Sequence, residues 1–442
     1  MRPSHSRLVV RYRLHPFKQL GFISLVLCSL CFLTACPQPE NRPDRNAANH
    51  IEPYVYLAEV TETSALIAWG SFEFRGKAVT ANEFEINQLV KANIGESTPA
   101  LGQSQTVKVF KSDGSEMGVF TATPGKNFCW LTGLTPDTEY RYQVVIGDVP
   151  FAQGPRFDWV KAGGREKLVS GKEYKFQFRT RPQLDQPSDL NFVVLGDYGK
   201  GIDQLTGGDR FQGPIAQALE QSMVTYHPRL LLTTGDNIYY GGSDDKDWFL
   251  KYFQPYRYII SQIPVYPTVG NHDDWETEGK TDRIVLYDNF LMKERLRNDT
   301  AALVDQEAGL FYQIRYGSDI EFVCLDTASH SRFNRYPNRK FNLPRGSQFI
   351  SDVARPRNQT PHWIIPFFHH PPFCAGPTHA SRLNVSTGKG EGDYGSLTKA
   401  QFDALIQAGT RVVFSGHEHN FEYAKAANYN LHCIISGAGG AL

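Results

Sequence analysis

Along the second half of the chain, short apolar runs recur, and each is cut off by a polar segment that carries glycine or histidine. Residues 191–195, 230–234, 265–269, 363–368 and 412–414 are continuous and rich in β-branched and aromatic side chains, so they read as buried strands. Residues 212–224 have helical spacing instead, and residues 311–315 and 320–325 read as a strand pair. Strands alternating with helix-like segments predict an α/β fold, with helices outside the sheets. The first half differs. Residues 54–180 look all-β, and residues 61–69 alternate polar and apolar side chains as a half-buried strand should. Residues 73–125 follow that pattern poorly and read as an inserted hairpin. Pro182 and Pro187 mark a linker at residues 181–190. Roughly 400 residues exceed what one core usually serves, so two domains are expected, at residues 51–180 and 191–442.

The N-terminus is of another kind. Residues 1–18 carry Arg2, Arg7, Arg11, Arg13 and Lys18 with no acidic residue, and an apolar stretch at 20–33 follows. A basic flank, an apolar core too short to span a bilayer comfortably and small residues before Cys36 describe a secretory signal over residues 1–35, with a plain signal peptide or an uncleaved anchor as the alternative to the lipidated form. Leu33-Thr34-Ala35-Cys36 resembles a bacterial lipobox, which implies lipidation of Cys36 and a lipoprotein held at a membrane outside the cytoplasm, at the outer membrane or cell surface. Residues 36–50, rich in Pro, Asn and charge, read as a flexible tether. Without residues 1–35 the chain has 41 Lys and Arg against 46 Asp and Glu, formally −5, which argues against a nucleic-acid-coating protein. Cys129, Cys324, Cys374 and Cys433 match no zinc module, and their pairing cannot be read from spacing; Cys324, inside a strand pattern, reads as a buried thiol.

Candidate chemistry gathers in five segments: Gly196-Asp197-Tyr198-Gly199, Gly235-Asp236-Asn237-Ile238-Tyr239, Gly270-Asn271-His272-Asp273, Phe368-His369-His370-Pro371 and Gly416-His417-Glu418-His419. Each follows a predicted strand, so each belongs in a loop at a strand's C-terminal end, where ligands of α/β folds collect. Alone, each is an ordinary turn sequence; five in a row are not. Two cations a few ångströms apart repel, so a shared site needs an anionic bridge, and an aspartate can give one oxygen to each. Oxygen and imidazole donors without thiolate suit iron, manganese or zinc. A phenolate adds hard negative charge and favours a trivalent ion; Asp-x-x-Tyr spacing selects Tyr239 over Tyr240.

These segments resemble the metallophosphoesterase superfamily, and specifically the purple acid phosphatases, from about residue 191 to the C-terminus. Residues 129–144, with a leucine, a proline turn and a tyrosine-led strand, are similar to a fibronectin type III sandwich, such as precedes the catalytic region in larger members. The resemblance implies a catalytic β-sandwich flanked by helices. It implies that Asp197 binds a first metal and Asp236 bridges both, with Tyr239 and His419 completing the first site and Asn271, His369 and His417 the second. A ligand histidine followed by one residue and then proline selects His369 over His370. His272 and His379 would meet the substrate phosphate. The implied cofactor is a dinuclear centre of Fe(III) plus divalent Fe, Zn or Mn. The implied reaction is hydrolysis of small phosphate monoesters, an acid phosphatase activity in which a metal-held hydroxide attacks phosphorus and His379 protonates the leaving alkoxide. Two other readings stay open: a phosphodiesterase or nucleotide-cleaving enzyme with two divalent metals, and an inactive surface binding protein on the same scaffold. Members of the family generally continue past a segment like residues 434–440, so the chain reads either as cut short at Leu442 or as a natural short form. Oligomeric state has no signature.

Overall fold

A computed structural model describes residues 47–102, 104–202, 211–239, 244–275, 285–297, 311–328, 343–354, 363–384, 386–393 and 397–441. Cys36, its signal and most of the tether lie outside the described residues, as does Tyr240. The first half is a sandwich of two antiparallel sheets. One runs in the order Ala48–Val60, Ser64–Thr80, Glu83–Asn93, Arg165–Glu173, Pro155–Ala162, with Phe128–Thr132 also paired to Ser64–Thr80. The other runs Gln177–Arg179, Glu139–Ile146, Gln105–Lys111, Glu116–Thr121. The stretch expected as one inserted hairpin holds more than that. Ser64–Thr80 and Glu83–Asn93 form a long hairpin, and Gln105–Lys111 with Glu116–Thr121 forms a second within the other sheet. Tyr140 Oη accepts the Thr135 backbone N–H at 2.8 Å, the corner contact that ties a tyrosine-led strand back to the turn before it.

The alternation expected at residues 61–69 is not what the fold uses. Val55, Leu57, Ile67 and Trp69 face the sandwich interior with Val107, Val109 and Leu131. Tyr54, Tyr56, Leu66 and Ala68, on the opposite face of the same strands, join the core of the second half. A strand buried on both faces has no polar side to display, so it reads as a continuous apolar run. Phe72 and Phe74 meet Phe249 with ring centroids 5.3 and 4.8 Å apart, and Tyr54 meets Phe253 at 5.4 Å. The sandwich keeps an interior of its own, while the outer face of its first sheet packs into the core of the second half, and residues Asn46–Leu442 form one compact unit. A buried polar knot pins the same seam: Glu59 accepts from Arg181 and Tyr266, with Arg295 Nε 3.6 Å away.

The second half has an α/β architecture. Val193–Leu195, Leu231–Thr233 and Val265–Pro267 form a parallel sheet. Tyr312–Tyr316, Ile320–Cys324, Trp363–Phe367, Val412–Ser415, Leu431–Ser436 and Phe421–Ala426 form a mixed sheet in that order, parallel across its middle. The sheets pack on each other through contacts such as Phe192 with Phe322 and Phe414. Helices Gln212–Thr225, Leu343–Ala354 and Lys399–Gln407 are the longest among the described residues. Cys129, Cys324, Cys374 and Cys433 are all buried free thiols, with Cys324 in its strand as expected, and burial pushes each thiol up to about 12.

Candidate metal centre

The five strands that precede the polar segments end on one rim. Asp197 follows Val193–Leu195, Asp236 follows Leu231–Thr233, Asn271 follows Val265–Pro267, His369 follows Trp363–Phe367, and His417 follows Val412–Ser415. Each chain must turn sharply to bring its side chain over the rim, and the backbone shows it. Asp197, Asp236 and His417 have φ of 55°, 50° and 72°, a left-handed conformation that costs a non-glycine residue roughly 1–3 kcal/mol. Such strain persists only where the surroundings over-determine it. Here they do: a Cβ on Gly270 would lie 2.1 Å from Asp236 Oδ1, and one on Gly416 would lie 2.4 Å from Asp197 Oδ2. Glycine is what lets these loops close on the carboxylates.

The donors form two adjoining groups. In the first, Asp197, Asp236 and His419 place one ligand atom each within 4.8 Å of one another. Tyr239 Oη lies 2.8 Å from His419 Nε2 and 3.3 Å from Asp197 Oδ1. In the second, Asn271 Oδ1 is 2.8 Å from His369 Nε2 and 3.0 Å from His417 Nδ1. Asp236 Oδ1, 3.5 Å from His369 Nε2, belongs to both. His369 Nδ1 is spent on the Thr234 carbonyl at 2.8 Å, which turns Nε2 inward. His370 stands differently: its Nδ1 is 3.4 Å from Thr327 Oγ1, and its ring lies 4.3 Å from that of His417. A grouping of His369, His370 and His417 is also close enough to hold an ion, and within it His369 reaches both Asp236 and Asn271. His272 donates its backbone N–H to Asp236 Oδ1 at 2.9 Å and lays its ring 4.5 Å from that of Tyr239. His379 stands at the mouth, its ring 4.1 Å from that of His417.

The electrostatics suit a cation. Burial, then the charge of Asp236, raises the Asp197 carboxyl well above the usual range, because two carboxylates share a dry space. Burial, then Asp197 and Asp236, drives the Tyr239 phenol far up for the same reason. Burial depresses His369 to about 3 and His419 to about 4, keeping both imidazoles neutral with a lone pair to give. Buried carboxylates, neutral imidazoles, an amide oxygen and a phenol, with no thiolate among them, fit hard to borderline ions such as iron, manganese or zinc.

Three further residues serve this arrangement and were not singled out from the sequence. Asp273 accepts backbone N–H groups of Gly270, Asn237 and Ile238, at 2.8, 3.2 and 2.9 Å, locking two ligand loops together; burial, then Asp236, raises it to about 7. Glu418 accepts the backbone N–H of His379 at 2.5 Å. Asp393 Oδ2 lies 2.7 Å from His379 Nδ1 and 3.2 Å from His417 Nε2, and these hydrogen bonds, that of His417 first, hold its carboxyl below the usual range. Asp273 and Glu418 stood in the motifs themselves, where each segment alone reads as an ordinary turn. Asp393 had no signal, since residues 387–395 are glycine-rich and read from sequence only as a mobile loop.

A strand-terminal cluster of this kind, on two packed sheets, defines a class of proteins with a dinuclear metal centre. The sequence model of the calcineurin-like phosphoesterase family matches residues 190–421, and the chain belongs to that family. No curated protein sequence matches it. In fold it is similar to the purple acid phosphatase PPD1 from yellow lupin seeds, with a TM-score of 0.53 at 16% identity. That superposition covers 88% of this chain and 65% of the lupin chain, so the chain spans less than two thirds of that structure's length. Weaker likenesses include a dimetal phosphatase from Danio rerio (TM-score 0.38, 14% identity, 56% of this chain and 86% of that one) and GAP50 of Plasmodium (0.38, 16%, 57% and 72%).

Proposed function

We propose that the chain is a dinuclear metal-dependent phosphomonoesterase of the purple acid phosphatase type. In this reading Asp197, Tyr239 and His419 hold one ion, Asn271, His369 and His417 hold the other, and Asp236 is shared. The observation that carries it is the convergence of seven donors from five separate strand ends, with Asp236 common to both groups. When bound, the ions would supply Lewis acidity toward the phosphoryl oxygens and lower the pKa of a bound water. Tyr239 would favour a trivalent iron in the first position, with divalent iron, zinc or manganese in the second.

The remaining steps fall to side chains. His369 and His417 are neutral ligands oriented by what their outer nitrogens touch: the Thr234 carbonyl for His369 and Asp393 for His417. His272, pinned by its backbone to Asp236, presents its ring beside Tyr239, where it can offset charge on a phosphate. His379 stands outermost and can give a proton to the ester oxygen as it leaves. The tether through Cys36, and with it a place at a membrane outside the cytoplasm, belongs to the same proposal. The test is turnover of p-nitrophenyl phosphate against bis(p-nitrophenyl) phosphate by the metal-loaded protein. Preference for the monoester, lost in Asp236→Asn, is expected. Preference for the diester, or an Asp236→Asn variant as active as the parent, would overturn the reading.

A further inference from the structure

We propose that Asp393 is a positioning residue that fixes which nitrogen of His379 faces the substrate. This rests on the phosphoesterase reading above and deepens it. Three short strands build the device: Phe373–Cys374, Ser381–Leu383 and Gly390–Gly392 pair antiparallel, with Ser381 opposite Gly392. The next residue, Asp393, donates its backbone N–H to the Ala380 carbonyl at 3.0 Å, directly beside His379. Gly392 makes that crossing possible, with φ of 73° and room for a Cβ only 2.1 Å from the Ala380 oxygen. The stretch that reads as a loose glycine-rich loop is a small sheet carrying one carboxylate to the mouth of the site.

That carboxylate settles the hydrogen positions on two rings. A neutral imidazole has one N–H and one lone pair, and an ionised carboxylate only accepts. Asp393 Oδ2, 2.7 Å from His379 Nδ1 and 3.2 Å from His417 Nε2, therefore takes both of those N–H groups. The consequence for His417 is a lone pair on Nδ1, the atom that faces Asn271 Oδ1. The consequence for His379 is that Nε2 is the nitrogen free to serve substrate. Glu418 accepts the backbone N–H of the same residue at 2.5 Å, so ring and backbone are each held by a carboxylate.

The chemistry then balances. Water supplies the oxygen that bonds to phosphorus as the bond from phosphorus to the ester oxygen breaks. The ester oxygen leaves with the bonding pair and takes a proton from His379 Nε2–H. The ring is left neutral, its remaining proton on Nδ1 against Asp393, and a water proton restores the charge. The carboxylate stabilises the charged ring before transfer and the correct tautomer after it, the role an aspartate plays behind a histidine in other hydrolases.

The experiment compares wild type, Asp393→Asn and Asp393→Ala, metal-loaded and full length, on an alkyl phosphate and on 2,4-dinitrophenyl phosphate. The Asp393 side chain is 45% exposed, so its removal leaves no buried cavity. Misplacing a proton donor costs on the order of 10²-fold, so kcat for the alkyl ester should fall about that much in Asp393→Ala, while the dinitrophenyl ester, which needs no proton, should lose less than about 3-fold. Asp393→Asn, which keeps an acceptor oxygen, should fall between. Because Asp393 also holds His417, metal affinity should weaken by about 10–100-fold, so turnover is compared at metal concentrations that saturate every variant. In the zinc-loaded protein, long-range proton–nitrogen NMR should show the His379 proton on Nδ1 in wild type and shared between nitrogens in Asp393→Ala. Equal loss on both esters at saturating metal, or an unchanged tautomer, would each overturn the proposal. Wild type that holds two metals, shows the Nδ1 tautomer and hydrolyses neither ester would instead sink the phosphoesterase reading.

Discussion

Replacing Asp197 by asparagine should stabilise the metal-free protein and destabilise the metal-loaded one. Asp197 and Asp236 are both buried, with ligand atoms within 4.8 Å. At an effective dielectric near 20, two unit charges at that distance repel by about 3.5 kcal/mol. Asparagine removes the repulsion but weakens the hydrogen bonds that the carboxylate accepts from the His417 N–H and Tyr239 hydroxyl, a loss of about 1–1.5 kcal/mol. The metal-free variant should therefore gain on the order of 2 kcal/mol at pH 8. The gain has a sign in pH. Asp197 is raised above its unfolded value by burial and by Asp236, so in wild type it contributes stability at low pH that is lost as pH climbs above about 4. The variant has no such group, so its advantage should grow from pH 4 to pH 8 and vanish at the acid end. Metal at 100 times its dissociation constant adds about 2.7 kcal/mol to wild type, and the order of stability should invert. Urea unfolding of chelated and metal-loaded samples at pH 4.5, 6 and 8 measures all three effects. A variant less stable than wild type in the chelated state at pH 8, or a gain that does not change with pH, would refute the reasoning.

Other consequences follow from contacts already described. Glu59→Ala leaves Arg181 buried against the seam without its carboxylate, and should cost about 3–5 kcal/mol in unfolding free energy, with the β-sandwich and catalytic half still melting together. Separate transitions for the two halves would contradict the packing shared across the seam. His272→Ala keeps the backbone N–H on Asp236, so both metals should stay bound while turnover falls about 10²-fold. Loss of metal in that variant would show that the ring does more than meet phosphate.

The α/β pattern was legible because five buried strands each end abruptly at a polar residue, and a buried strand can end no other way on a functional rim. Asp197, Asp236, Asn271, His369, His417 and His419 could be picked out as candidates for that reason, and the fold brings them together. The choice between His369 and His370 depends on which ring turns toward Asp236, and that is set by the Thr234 carbonyl, a partner 135 residues away. Asp393 was invisible because its role comes from a strand pairing opposite Ala380, not from any neighbour in sequence. The expected alternation at residues 61–69 failed because a sheet covered on both faces has no solvent side, and the residues covering it, Phe249 and Phe253, belong to the other half of the chain.

The central claim is a pair of metal ions held by strand-terminal donors, one of them facing a phenol. Metal analysis of the purified protein, joined to its visible spectrum, tests this most directly. Two metal ions per chain are expected, with a visible absorption that disappears in Tyr239→Phe while metal is retained, and no more than one ion in Asp236→Asn. A single ion or none in wild type, or two ions retained without Asp236, would contradict it.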